Sequence, residues 1–540
     1  MRGGGWRAAL VGLAALAWPA HAADGLPAEV EAELQRANVP REALVAMVQE
    51  VGASAPRLAW QVDKPVNPAS MTKLLTTYAG LDLLGLAWRW STPVWLDGTV
   101  RDGALHGNLA ILGNGDPTLT MERIWLLLRR VQQLGVREIR GDIVLDRTRF
   151  VVPDRSPAAF DGEGLRPYNV QPDALMLSFK SVVLTFTPDT ARGIAIISAD
   201  PPLAGVQVET RVPLTDTPCE DWHDVLRADF ADPARIAVAG TYSGACGERQ
   251  WAVAYVDPAA FNARALRAMW QQMGGTLRGV VRDGPAPAAP PSFESSSPAL
   301  PEVVRDINKY SNNVMAQQLF LTLGLAQHGS GSPETARDVL RQWATARFGD
   351  AADSLVIDNG SGLSRDTRVS ARFMTQLLLA GSAGSVMPEL IGSLAVSGVD
   401  GTLKDSTTAV GRAHLKTGTL RDVSGVAGEV LADSGRRYVV VVIANDANAG
   451  AARPVFDALL RWALRDAPER TPDPWRGTGR LSSVPACPPL HRPRRRRRRP
   501  THRPRRCVSA TTAASSCSRP SAGCSSTASR RCSARALSTC

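Results

Sequence analysis

The stretch Asn67-Pro68-Ala69-Ser70-Met71-Thr72-Lys73-Leu74-Leu75 decides the reading. Apolar Met71, Leu74, Leu75, Tyr78 and Leu81 recur every three or four positions, which predicts a helix over residues 70–84, ended by Gly85. Ser70 and Lys73 stand one turn apart at its start, so their side chains share a face. A desolvated lysine can shed its proton and then accept one from a serine. The positive end of a helix favours an alkoxide or a developing oxyanion beside it. A bare Ser-x-x-Lys is a weak sign, since an ordinary helix lysine also fits.

The bias of the chain sharpens that sign. It holds 56 arginines but only six lysines: Lys64, Lys73, Lys180, Lys309, Lys404 and Lys416. Arginine does not lose its proton in a protein, so a lysine that persists is a candidate for proton transfer. Lys416 opens Lys416-Thr417-Gly418 on a predicted strand, where a charge, a hydroxyl and a glycine are poor core residues. Glycine there permits close approach of another backbone, such as an extended peptide. Ser311-Asn312-Asn313 interrupts an apolar helical region at residues 303–325, where polar groups cost stability unless partnered. A helix cap or a loop is the plain alternative for it.

Around these motifs the texture changes along the chain. Helix is predicted at residues 26–38, strand at 44–51 and 58–62. Residues 91–291 alternate short β-like runs with Gly, Pro and Asp turns, with one helix-like interruption at 121–134. Residues 284–301 are rich in Pro, Ala and Ser and read as a linker. Helices follow at 303–325, 333–346 and 370–380, then strands at 413–420, 425–431 and 437–445, and a final helix at 451–464. Ala432-Asp433-Ser434-Gly435 reads as a hairpin turn.

The 540 residues are 44% hydrophobic and 21% charged, which excludes a wholly disordered chain. The net charge of +11 belongs to the end of the chain. Residues 471–540 hold 16 arginines and one acid, Asp473, leaving the rest slightly acidic. They form an expected disordered basic tail with the composition of out-of-frame translation, so no nucleic-acid partner is expected. Residues 1–22 read as a secretory signal: basic Arg2 and Arg7, a short apolar stretch, then Ala20-His21-Ala22. No other apolar run approaches a membrane span, so at most peripheral membrane contact is expected. Cys219 and Cys246 are the only cysteines before the tail, and in an exported chain they are expected to pair. The seven histidines show no metal-ligand spacing, so neither a metal nor a cofactor is expected.

Together and in order, Ser-x-x-Lys, Ser-x-Asn and Lys-Thr-Gly resemble the active-site set of penicillin-recognising serine enzymes. The 237 residues between Lys73 and Ser311 are too many for a plain β-lactamase-like domain. That gap, Asp358-Asn359-Gly360-Ser361-Gly362-Leu363-Ser364-Arg365 and Asp400-Gly401-Thr402-Leu403 resemble the class C low-molecular-mass penicillin-binding proteins. These are D-alanyl-D-alanine carboxypeptidases and endopeptidases. The resemblance implies an α/β (α+β) fold: a β-lactamase/transpeptidase-like domain with an antiparallel sheet and helices, from residues 23–90 and 292–467. The stretch 91–291 is then an insert of small β-rich domains.

The resemblance also implies roles. Ser70 is the nucleophile, Lys73 its general base, Ser311 the proton relay to the leaving nitrogen, and Asn313 a partner of the substrate amide. Thr417 and Lys416 take the terminal carboxylate beside Gly418, and the N–H groups of Ser70 and Thr419 form an oxyanion hole. Asp146 of the insert is the candidate for the amino end of the stem-peptide diamino acid, and Arg365 for a carboxylate on it. Partners are then peptidoglycan stem peptides, with β-lactams as covalent inhibitors, in the periplasm. Ala69 and Arg421 depart from what some relatives carry. The alternatives are a serine β-lactamase, disfavoured by the lack of Glu-x-x-x-Asn, and an inactive peptidoglycan-binding protein, disfavoured by intact Ser70, Lys73 and Lys416.

Overall fold

The computed structural model describes residues 25–466, so the expected signal peptide and basic tail lie outside the described residues. Its central sheet is antiparallel, in the order Ala395–Val396, Ala413–Leu420, Val423–Leu431, Arg437–Asn445, Leu44–Glu50, Leu58–Trp60. Strands Leu44–Glu50 and Arg437–Asn445 carry unbroken apolar runs, Leu44 to Val48 and Tyr438 to Ala444, because both faces are covered. Leu44, Ala46 and Val48 join one core, Val45 and Met47 the other. Helices Ala28–Arg36 and Arg453–Leu464 cover the first face. Helices Thr72–Leu84, Leu300–Lys309, Asn313–His328, Pro333–Phe348 and Ala371–Ala383 build the core on the second. Residues 432–436 make the expected turn, with Gly435 at φ +87°.

The insert is less purely β than its texture suggests. Strands Ser91–Arg101 and Ala104–Leu112 form a hairpin. Ala104–Leu112 then runs parallel to Ile143–Asp146, and a parallel step requires a crossover, supplied by helix Met121–Gln133. A second helix, Pro258–Gln272, corrects the expectation of a single interruption. Its start was legible: the Asp257 carboxylate caps the Ala260 N–H and Pro258 opens the first turn. A five-stranded and a three-stranded sheet complete the insert.

The expected linker is structured as well. Phe293–Ser296 pairs antiparallel with Ser91–Val94, so the insert starts and finishes on neighbouring strands. The insert has its own core around Leu109, Leu184, Phe186 and Trp270, yet Phe150, Val170, Met176 and Phe179 pack into the core of the helical layer. Phe150 fits between Gly115 and Gly331, where a Cβ on either glycine would lie within 2.5 Å of its ring. Gln318, fully buried on helix Asn313–His328, donates to the carbonyls of Asp173 and Gly115 and accepts from the Asp173 N–H.

Cys219 and Cys246 form a disulfide, with Cys246 buried in the apolar core of the insert and half-buried Cys219 packed against it. The cross-link restricts the unfolded chain, so the double variant Cys219→Ser/Cys246→Ser should lose roughly 3 kcal/mol. Neither cysteine lines the cleft described below, so active-site acylation should stay within twofold of wild type. Denaturant unfolding and acylation kinetics on the same preparation check both halves.

Candidate active site

Asn67 shapes the turn that carries Ser70. Its Oδ1 accepts from the Ala69 N–H at 2.8 Å, and its backbone exchanges two hydrogen bonds with the Asn445 side chain on the sheet. Ala69 is held at φ +48°, a conformation that a β-branched residue resists. Ser70 therefore sits in the short 3-10 turn Ala69–Met71, just ahead of helix Thr72–Leu84, rather than inside it. Lys73 lies in the first turn of that helix and is wholly buried.

The Lys73 Nζ lies 3.0 Å from Ser70 Oγ and donates to Asn313 Oδ1 at 2.6 Å and to the Ser361 carbonyl at 2.6 Å. Burial drives its pKa well below that of an ordinary lysine, and the nearby Lys416 charge adds to the shift. Lys416 faces it from the sheet. Its Nζ donates to Ser311 Oγ at 2.9 Å and to the Thr417 carbonyl at 2.8 Å, and burial brings its pKa down to about 7.

The apolar helical region expected at 303–325 is two helices broken at residues 310–312. Ser311 takes φ +58°, which no helix interior accommodates. Asn312 caps the second helix by accepting from the Met315 N–H at 3.0 Å. The plain reading of this motif as a cap is thus right for Asn312, while its neighbours face the lysines. Asn313 spends its Oδ1 on Lys73, and its Nδ2 lies 3.4 Å from the Tyr168 carbonyl of the insert.

On strand Ala413–Leu420 the close approach at Gly418 is internal. A Cβ there would lie 2.5 Å from the Pro68 carbonyl, so glycine brings the strand against the serine turn. The Thr417 hydroxyl donates to Thr402 at 3.0 Å. Ser70, Ser311, Thr417 and Thr419 open on one cleft of about 1010 Å³.

The structure does not bring Asp146 to this cleft. It is buried: Oδ1 accepts from the Thr148 N–H and hydroxyl, and Oδ2 from the Ala286 N–H. It holds a turn, the usual work of such an aspartate. The insert instead presents Asp161 and Phe160 to the cleft, with Arg365 from the opposite segment. Burial acts to raise the Asp161 pKa, but hydrogen bonds from the Glu163 N–H, Asn169 and Tyr168 outweigh it and hold the carboxylate below its usual range. Arg365 pairs with Asp422 at 2.6 Å and lies 5.0 Å over the Phe160 ring. Sequence reasoning also missed the Ser361 carbonyl. Its signal was the pair of glycines beside it: Gly362, at φ +77°, packs on the Ala69 carbonyl, and Gly360 on Phe320. Among the described residues no group of three or more His, Cys, Asp or Glu could hold a metal ion.

The sequence model of the D-Ala-D-Ala carboxypeptidase 3 (S13) family matches residues 26–465. A D-alanyl-D-alanine carboxypeptidase of Actinomadura sp. (strain R39) is 28% identical over 78% of this chain and 82% of its own. The D-alanyl-D-alanine carboxypeptidase DacB of Haemophilus influenzae is 25% identical over 71% of this chain and 81% of its own. The crystal structure of penicillin binding protein 4 (dacB) from Haemophilus influenzae superposes with a TM-score of 0.65 at 22% identity, covering 81% of this chain and 99% of that one.

The buried Lys73 amine makes a thermodynamic prediction. Lys73 is protonated in the unfolded chain below its ordinary pKa but neutral in the fold down to its lowered one, so folding releases a proton in that window. Wild type should therefore gain stability over Lys73→Met as pH rises from the lowered value towards 10.5, by up to about 1.4 kcal/mol per pH unit. Parallel pH profiles for the two proteins in urea unfolding would contradict the buried neutral lysine.

Proposed function

We infer the chemistry from a plain premise: the chain belongs to the D-Ala-D-Ala carboxypeptidase 3 (S13) family and is a penicillin-sensitive serine DD-peptidase of peptidoglycan. The observation that carries the assignment of roles is the fully buried Lys73 nitrogen, 3.0 Å from Ser70 Oγ. Neutral Lys73 takes the Ser70 proton as Oγ attacks the carbonyl carbon of the penultimate D-alanine. The oxyanion is received by the N–H groups of Ser70 and Thr419. Ser311, hydrogen-bonded to Lys416, passes its hydroxyl proton to the departing nitrogen and receives in exchange the proton that Lys73 took from Ser70, which leaves Lys73 neutral again. The C–N bond breaks and an acyl ester remains on Ser70. Water, deprotonated by the same lysine, then releases the shortened peptide.

Thr417 and the Lys416 charge hold the carboxylate of the departing D-alanine, with Gly418 keeping their strand on the serine turn. Asn313 fixes Lys73 and turns its amide N–H towards the substrate backbone. Asp161, rather than Asp146, receives the amino end of the stem-peptide diamino acid, and Arg365 a carboxylate on the same residue. What supports this pairing is that Asp161 and Arg365 both line the cleft and Asp161 is held ionised. Penicillin presents a strained carbonyl and a carboxylate to the same groups and leaves its amine tethered. The signal-like residues 1–22 support export to the periplasm. Among the described residues no helix is long and apolar enough to cross a membrane.

Fluorescent penicillin should label wild type, and Ser70→Ala should lower the acylation rate by roughly 10,000-fold or more with the fold intact. Mass spectrometry that finds an undiminished adduct in the variant would overturn the nucleophile assignment. Asp161→Ala should lower kcat/KM on stem peptides carrying a free diamino-acid amine by roughly 10- to 100-fold, the value of a hydrogen bond to a charge. Penicillin acylation, which lacks that contact, should change less than threefold. Equal losses on both ligands would show that Asp161 serves the fold instead.

A further inference from the structure

Lys309 takes no part in the steps above, yet it is one of the six lysines and almost wholly buried. It ends helix Leu300–Lys309, two residues before Ser311. Its Nζ donates to the Leu394 carbonyl at 2.9 Å and to Asp400 Oδ2 at 2.5 Å. The other Asp400 oxygen accepts from the Val396 N–H at 2.8 Å. Gly401 follows at φ +58°, so close to the helix that a Cβ would lie 2.5 Å from the Lys309 carbonyl. The next residue, Thr402, receives the hydrogen bond of the Thr417 hydroxyl. One ion pair thus ties together a helix end that leads into Ser311 and a turn that meets Thr417.

We propose that the Lys309–Asp400 pair positions the leaving-group side of the cleft, with Thr402 as the residue that sets the Thr417 hydroxyl for a substrate carboxylate. The proposal rests on the reading of Thr417 as the carboxylate subsite. Hydroxyl hydrogens rotate, so the pair can reverse when a carboxylate arrives: Thr402 donates to Thr417, and Thr417 donates to the substrate. A free Thr417 rotor must instead be ordered at the moment of binding. Neither Lys309 nor Asp400 touches the substrate; both act through Thr402 and the turn at residues 310–312. Burial of the Lys309 ammonium beside a half-buried Asp400 explains why a lysine persists here, since a flexible ammonium reaches both the carbonyl and the carboxylate from the helix end.

The test uses two D-alanyl thioesters on the full chain, one with thioglycolate as leaving group and one with that carboxyl methylated. Both are intrinsically reactive, and they differ only in the carboxylate. Thr402→Val keeps the shape of an exposed side chain and removes its hydroxyl. It should cut kcat/KM on the carboxylate thioester by about tenfold and on the methyl ester by less than twofold, mostly through KM. Asp400→Asn should reproduce that selective loss, and the double variant should be no worse than the more damaged single one. An unchanged preference for the carboxylate in Thr402→Val overturns the proposal, even if Asp400→Asn fails to fold. So does an Asp400→Asn enzyme that loses both substrates alike. Failure of wild type to be labelled by penicillin at Ser70 would instead overturn the underlying functional reading.

Discussion

An ammonium group gives up its hydration shell when Lys73 enters the interior, and the protein must offer either a counter-charge or an easy route to neutrality. Among the described residues no carboxylate is hydrogen-bonded to its nitrogen; its partners there are a hydroxyl, an amide oxygen and a carbonyl. That choice makes the neutral form the comfortable one, and a neutral amine beside a serine is a base. The surroundings are arranged to keep the slot dry and tight. Gly362 and Gly418 let two separate backbones close on the serine turn at distances that no side chain would permit, and Gly360 seats the first of them against Phe320. Ala69 takes its strained conformation at the place where those backbones meet.

The second lysine sets a different condition. Lys416 is equally buried but titrates near neutrality, so it can be charged or uncharged as the local chemistry demands. A cation there helps to neutralise a carboxylate and also repels a proton from Lys73. Burial alone lowers the Lys416 amine, while Lys73 is lowered by burial first and by the Lys416 charge second. Ser311 lies on the Lys416 side of this arrangement, held by a turn that interrupts two helices.

Some of this was legible because chemistry constrains residue type. Ser70, Lys73, Ser311, Asn313 and Lys416 announced themselves as polar residues in apolar surroundings. Strands of the central sheet were visible in runs such as Val439 to Ile443, since covering both faces demands apolar residues at every position, while their antiparallel order came with the family resemblance. Asp146 misled because an aspartate at a strand end is equally suited to binding an amine and to holding a turn; only the positions of Thr148 and Ala286 distinguish the two. Asp161 gave no sign, lying in a Pro- and Gly-rich loop whose path depends on long-range contacts. The carbonyl of Ser361 could not be found from side-chain identity, because every residue has one. Helix Pro258–Gln272 was overlooked among short strands even though its cap was written in the sequence.

The pairing of Phe293–Ser296 with Ser91–Val94 has a consequence for how such a chain can change. Neighbouring strands run about 5 Å apart, so a short splice could rejoin the host chain where the insert departs and returns. Connectivity alone would let the whole unit be grafted elsewhere or dropped. The interior forbids it: removal would empty the seat of Phe150 between Gly115 and Gly331, bare the apolar helix surface beneath Val170 and Met176, and strand Gln318 without its partners. Heritable variation in this unit is therefore channelled to its outer strands and loops, while the residues at its root stay bound to the fate of the helix they cover.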